Sequence, residues 1–227
     1  MQASGLVRVA AFLTCLHPAY ARADAVTRPA PLPRKTPRPP PLPPRATLLI
    51  VGDSLVGGPF AFAKAVRERL RQARVRVVQD TWVSVGISKF AYDGRLRTLI
   101  AQHRPTHVFI VLGTNDYLIP SPERLVRPTE RIVARVAASV ARPGGGEPLE
   151  PVRCAWIGPF HREDTGVVAM LAAHVSPCAF VDSRRHGVPT SRDGFHPSSA
   201  GAYVWADGVL GDLAAAGWSW RHGHDAE

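Results

Sequence analysis

Residues 47–55 read TLLIVGDSL, and the first six of them decide the fold. After Thr47 the run is wholly apolar up to Gly52, without the alternation of a half-exposed strand, which is the composition of a strand covered on both faces. Four further segments share that character: Val75–Trp82, His107–Leu112 (HVFIVL), Val152–Gly158 (VRCAWIG) and Ala179–Asp182. Stretches of helical period lie between them. They are Pro59–Arg74, with Phe62, Val66, Leu70 and Ala73 on one face, then Asp93–His103, Pro122–Ala141 entered through Ser121, Glu163–His174, and Ser198–Ala216 stopped by Gly217. Five alternating units predict a three-layer α/β/α domain, doubly wound about a parallel five-stranded sheet with right-handed crossovers. Reactive side chains in such a sheet belong at the carboxyl ends of its strands.

Composition sets the limits around that domain. The chain has 227 residues, 45% of them apolar and 20% charged, which suits one ordinary globular core. Its net charge of +10 invites a nucleic-acid partner. The distribution argues otherwise, because residues 1–45 carry Arg8, Arg22, Arg28, Arg34, Lys35, Arg38 and Arg45 against Asp24 alone. The remaining chain is only mildly basic, so no nucleic-acid function is expected.

Residues 1–25 have an early Arg8, an apolar stretch from Val9 to Leu16 and small residues at Ala19, Ala21 and Ala23, the layout of a cleavable secretion signal. The apolar stretch is too short for a transmembrane segment. This predicts a secreted, periplasmic or envelope protein, the alternative being a cytoplasmic one if the leader does not function. Residues 26–45, VTRPAPLPRKTPRPPPLPPR, predict an extended proline- and arginine-rich linker. The folded domain is expected over 46–217 and a frayed tail over 218–227, whose His222 and His224 lack the partners of a metal set.

Two motifs at opposite ends of the domain carry the chemistry. Strand one ends in Gly52-Asp53-Ser54-Leu55, which places a serine at the sheet edge. A serine hydroxyl needs a base within hydrogen-bond reach, and the base needs an orienting acid. Asp193-Gly194-Phe195-His196-Pro197, before the last helix, offers both on one short loop. Acyl transfer further requires donors aimed at a developing oxyanion. The Asn115 amide in Gly113-Thr114-Asn115-Asp116, Gly86 in Ser84-Val85-Gly86-Ile87 and the Ser54 N–H supply three candidates after three different strands.

These blocks, GDSL at 52–55, the glycine at 86, GTND at 113–116 and DGFHP at 193–197, resemble the four motifs of the SGNH (GDSL) hydrolases, in family order, over roughly residues 46–216. The resemblance implies a flavodoxin-like sheet in order 2-1-3-4-5. It also implies Ser54 as nucleophile, Asp193 supporting His196 as base, and Ser54, Gly86 and Asn115 around the oxyanion. Asp53 and Asp116 are expected to organise loops. No cofactor or metal is required.

Other residues admit a plainer reading beside the functional one. Tyr117 and Phe195 are expected to line a substrate pocket, Trp82 and Phe160 divide between pocket and core, and Phe60, at the start of the first helix, reads as packing. His161 reads as a solvated loop histidine, the sharper alternative being contact with substrate. Arg184, Arg185 and Arg192 read as a solvated loop, the sharper alternative being attraction of an anionic polysaccharide. Cys154 and Cys178 each stand at a strand start, where a disulfide and two buried thiols are both open. The resulting expectation is a serine esterase acting through an acyl-enzyme on short acyl esters, such as O-acetyl groups on envelope carbohydrate. An O-acyltransferase on the same residues, or a silent carbohydrate-binding domain, stands as the alternative.

Overall fold

The computed structural model describes residues 46–58, 61–141, 150–161, 163 and 165–220. The leader, the linker, Phe60 and the tail beyond Trp220 lie outside the described residues. Five strands form one parallel sheet: β1 (Ala46–Gly52), β2 (Val75–Thr81), β3 (His107–Val111), β6 (Arg153–Ile157) and β7 (Ala179–Val181), in the order β2-β1-β3-β6-β7. Counted within the sheet, this is the expected order 2-1-3-4-5. Two short strands, β4 (Val140–Ala141) and β5 (Glu150–Pro151), pair antiparallel beside it.

Register brings the strand ends level. Gly52 pairs with both Thr81 and Val111, Val111 with Ile157, and Ile157 with Val181. The loops after all five strands therefore emerge along one carboxyl edge. A Cβ on Gly52 would collide with the Val111 carbonyl and with Val56, so glycine is needed there for close backbone approach.

Side chains alternate between the two faces, as strand geometry requires. Leu49, Val51, Val108, Ile110 and Trp156 pack into the core beneath α2 (Ile87–Tyr92), α3 (Arg95–His103), α4 (Val126–Ala137) and α5 (Val167–His174). Leu48, Ile50, Phe109, Ala155 and Ile157 face the opposite core, under α1 (Phe62–Arg69) and α6 (Ser199–Ala215). Each large apolar side chain so buried contributes roughly 1.5–3 kcal/mol. The two buried indoles keep their N–H groups satisfied, Trp156 on the Leu112 carbonyl at 3.0 Å and Trp205 on Ser183 at 2.8 Å.

Several expected boundaries move. The helix expected from Pro122 begins as a 3-10 turn over Pro122–Leu125, and Ser121 makes no side-chain cap bond to it. The α-helical part starts only at Val126 and accommodates Pro128 in its first turn, where no donor is needed. Helix α2 lies outside the expected helices, although Ile87, Phe90 and Ala91 carry the spacing of a buried face. The tail expected to fray is packed over its described part: Trp218 and Trp220 contact the His107 and Phe109 rings at centroid distances of 4.9–6.1 Å. Apolar indole area drives this docking, and residue 217 is not where packing stops. Cys154 and Cys178 are joined by a disulfide, with Cα atoms 4.7 Å apart.

Candidate active site

Local chemistry explains why the two motif loops take their shapes. In 190–198 the chain reverses, with Thr190 bridging to Pro197 and the Ser191 N–H donating to the His196 carbonyl at 2.8 Å. Gly194 sits at φ 72°, a conformation that favours glycine. Asp193 Oδ1 accepts from the Ser191 hydroxyl (2.8 Å), the Phe195 N–H (2.9 Å) and the His196 N–H (3.0 Å), which fixes the turn. Ser198 then caps α6 by accepting the Gly201 N–H at 3.0 Å.

That loop delivers an imidazole to the serine. Asp193 Oδ2 lies 2.7 Å from His196 Nδ1, and His196 Nε2 lies 3.0 Å from Ser54 Oγ. Hydrogen bonds from the His196 backbone and side chain, then from Phe195 and Ser191, hold the Asp193 carboxyl far below the usual carboxylate range. An ionised Asp193 requires the proton on Nδ1, which leaves Nε2 as an acceptor for the serine hydroxyl. The arrangement can deprotonate an alcohol.

Beside it, three segments are tied by one amide. Asn115 Nδ2 donates to the Val85 carbonyl at 3.0 Å and to Asp53 Oδ2 at 3.3 Å, while Asp53 Oδ1 accepts the Leu55 N–H at 3.0 Å. The loops carrying Ser54, Gly86 and Asn115 are thereby brought together. Asp53 is completely buried, and that burial, with the neighbouring Asp116 charge adding to it, raises its pKa to about 7 against the lowering effect of the Leu55 bond and His196. Asp116 is likewise raised by burial, opposed by the bond from the Ile87 N–H at 3.0 Å. The reason for glycine at 86 differs from the expected one: its φ of −94° suits any residue, but a Cβ there would stand 2.7 Å from Asp116 Oδ1. Asp53 and Asp116 do organise loops.

Ser54, Asn115, Tyr117, Leu118, Phe195 and His196 border a cleft of about 640 Å³. Tyr117 and Phe195 also form a wall of a neighbouring hollow of about 510 Å³ that includes Phe160, His161, Glu163 and Arg184. His161 is not the solvated residue expected. It stacks on Phe160 (4.5 Å) and Tyr117 (5.2 Å), and desolvation, helped by nearby His196 and opposed by the Phe195 backbone, lowers its pKa. The loop arginines are mostly neutralised, Arg184 by Asp182 and Arg185 by Asp212, each at 2.8 Å. Trp82 carries Lys89 and Arg95 over its ring at 4.7 and 4.8 Å instead of facing the cleft. No signal in the sequence foretold the Asp53–Asn115 bond, since it joins residues 62 apart.

Comparison with known proteins agrees with this geometry. The model of the GDSL-like Lipase/Acylhydrolase family matches residues 50–204. No curated protein sequence matches the chain. Among solved structures, one called TesA aligns with a TM-score of 0.58 at 22% identity, covering 74% of this chain and 98% of its own. A carbohydrate acetylesterase family member from Sinorhizobium meliloti gives 0.57 at 19%, covering 75% and 98%. A catalytic variant of the acetylxylan esterase Axe2 from Geobacillus stearothermophilus gives 0.56 at 16%, covering 81% and 99%. At such identities the likeness establishes the α/β fold. The family match over most of the domain, with the motif loops gathered at one sheet edge, establishes the rest: the chain belongs to the GDSL-like lipase/acylhydrolase family and is an ester-cleaving hydrolase.

Proposed function

We propose that the protein is a serine esterase that removes short acyl groups, O-acetyl on carbohydrate foremost, through an acyl-enzyme on Ser54. The observation that carries this is the unbroken hydrogen-bond chain from Asp193 through His196 to Ser54. His196 Nε2 takes the Ser54 proton as Oγ attacks the ester carbonyl, and Asp193 stabilises the imidazolium that results. The carbonyl oxygen, now negative, is held by the Ser54 and Gly86 N–H groups and by Asn115 Nδ2. Asn115 exchanges its 3.3 Å bond to Asp53, the longer of its two, for the oxyanion. His196 then protonates the leaving alcohol, and a water activated by the same nitrogen hydrolyses the acyl-enzyme.

The substrate class rests on shape. The cleft of about 640 Å³ suits a small acyl group, and the aromatic wall of Tyr117 and Phe195 beside it suits the face of a sugar ring. Acetylesterase neighbours in the fold comparison are in keeping with this choice. The leader over residues 1–25 is proposed as a secretion signal, in keeping with a disulfide, which persists in oxidising compartments. No helix among the described residues is long and apolar enough to cross a membrane.

Hydrolysis of p-nitrophenyl acetate, p-nitrophenyl decanoate and acetylated xylo-oligosaccharides by wild type and Ser54→Ala tests the proposal. Loss of all turnover and of fluorophosphonate labelling in the variant, with acetyl preferred to decanoyl in wild type, is the expected result. Undiminished turnover in Ser54→Ala would overturn the mechanism, and a preference for decanoate would overturn the substrate class.

A further inference from the structure

Several arginines of this domain are matched by acidic side chains. Arg69, Arg95, Arg184 and Arg185 each pair with a carboxylate, of Asp207, Asp80, Asp182 and Asp212 respectively. On the outer surface of α3 and α4 a different pattern holds. Arg97 and Arg104 of the α3 side and Arg135 of α4 line one groove of about 500 Å³, and no acidic side chain lines it among the described residues. Arg97, Ile100 and Ala101 fall at i, i+3 and i+4 on one stripe of α3, and Arg104 follows as its C-cap in the left-handed conformation, at φ 45°. Arg135 and Ala138 face them from the end of α4.

Arg135 lies close enough to its neighbours to feel their charge. Desolvation and the like charges of Arg131 and Arg97 lower the Arg135 pKa, opposed only by Asp93, yet a guanidinium stays charged. One Arg135 nitrogen is engaged by the Asp93 carbonyl at 2.9 Å, and Arg131 is held by the Ala91 carbonyl at 3.2 Å. These backbone bonds brace the end of α2 and fix the position of Arg135 without neutralising it. Arg97 and Arg104 are exposed, with no carboxylate partner among the described residues. An oxyanion seated in the groove would accept charge-assisted hydrogen bonds from the guanidinium groups that line it.

Size and floor narrow the ligand. A bare phosphate would leave most of about 500 Å³ empty, and Ile100, Ala101 and Ala138 give the groove an apolar floor. We infer that the α3–α4 groove binds a phosphate ester, with the phosphate between Arg97, Arg104 and Arg135 and an apolar body against Ile100 and Ala138. The groove lies toward the amino edge of the sheet, since α3 leads through Arg104 into the start of β3, whereas Ser54 stands at the carboxyl edge. Occupancy of one site therefore leaves the other open. The ester has two sources, a soluble metabolite or the headgroup of an anionic lipid, and both present the same chemistry to the arginines.

Titration calorimetry at low ionic strength with hexyl phosphate, hexanol and phosphatidylglycerol vesicles, on the full chain and on R97E/R104E, tests the inference. Arg97 is exposed on α3 and Arg104 is the exposed C-cap that follows it, and circular dichroism with thermal unfolding checks that the fold is retained. Saturable hexyl phosphate binding is expected, weaker by at least about tenfold in R97E/R104E and by about as much for hexanol, the loss expected on removing charge-assisted contacts. With that result in hand, vesicle binding lost in the variant assigns the source to a lipid headgroup. Vesicle binding that is absent, or equal in both forms, assigns it to a soluble ester. Hexyl phosphate that fails to saturate by about 10 mM, or binds the folded variant as tightly as wild type, overturns the inference.

Discussion

His196 Nε2 and Ser54 Oγ stand 3.0 Å apart although 142 residues separate them in the chain. The contact exists because β1 ends level with its neighbours and because the 190–198 turn folds back over the same edge. Replacing His196 by Ala leaves the serine without an acceptor. Turnover of p-nitrophenyl acetate is expected to fall by about 10³-fold or more, the scale seen when a triad base is removed. Retention of more than a tenth of the activity would place the base elsewhere.

Asp193 is predicted to act by charge and orientation. Its carboxyl, held well below the usual range, stays ionised across the whole working pH range, so it contributes no limb to the pH–rate profile above pH 4. Asp193→Asn removes the charge and presents an amide donor to Nδ1, which selects the wrong tautomer. A fall in kcat of about 10²–10⁴-fold is expected, with KM changed far less. Steady-state kinetics of the variant decide the matter.

Asp53 predicts how stability varies with pH. Its folded pKa of about 7 lies above the unfolded value near 3.8, so the folded chain holds a proton that the unfolded chain has lost between those limits. Stability attributable to this group therefore declines as pH rises from about 4 to about 7 and is level above, with a slope of at most about 1.4 kcal/mol per pH unit. Urea unfolding at several pH values should show this decline in wild type and a flatter profile in Asp53→Asn. The same variant should lose esterase activity, because its amide can no longer accept from both Leu55 and Asn115.

Gly86→Ala tests a packing constraint. The added methyl would meet Asp116 Oδ1 at 2.7 Å and push it from the Ile87 N–H, which opens the loop beside Asn115. A loss of about 1–3 kcal/mol in unfolding free energy is expected, together with reduced kcat. An unchanged melting temperature with full activity would show that the loop yields freely.

The disulfide offers a control that separates stability from chemistry. Cys154 and Cys178 close a loop of 24 residues near the amino edge of β6, away from Ser54. Cys154→Ser with Cys178→Ser is expected to lower stability by about 3 kcal/mol and to leave esterase turnover at a temperature well below melting unchanged. Thermal unfolding and p-nitrophenyl acetate kinetics on the same preparation read both quantities.

Much of this was legible from local patterns. Apolar runs such as TLLIVG and HVFIVL announce buried parallel strands because a strand covered on both faces cannot alternate, and Gly194 between Asp193 and His196 announces a turn because few residues adopt its φ. Motif order then pointed to Ser54, Asn115 and His196. Boundaries set by competition were harder: the 3-10 start at Pro122 and the short helix α2 depend on what each segment packs against.

The sequence alone determined which residue types occur at strand ends, and so which groups are available for acyl chemistry. Tertiary structure alone decided three matters: that Asp53 loses all contact with water and titrates near neutrality, that His161 is stacked among aromatic rings, and that Trp218 and Trp220 dock on the sheet instead of fraying. Each depends on contacts between residues distant in the chain, whose desolvation and ring packing no local pattern encodes.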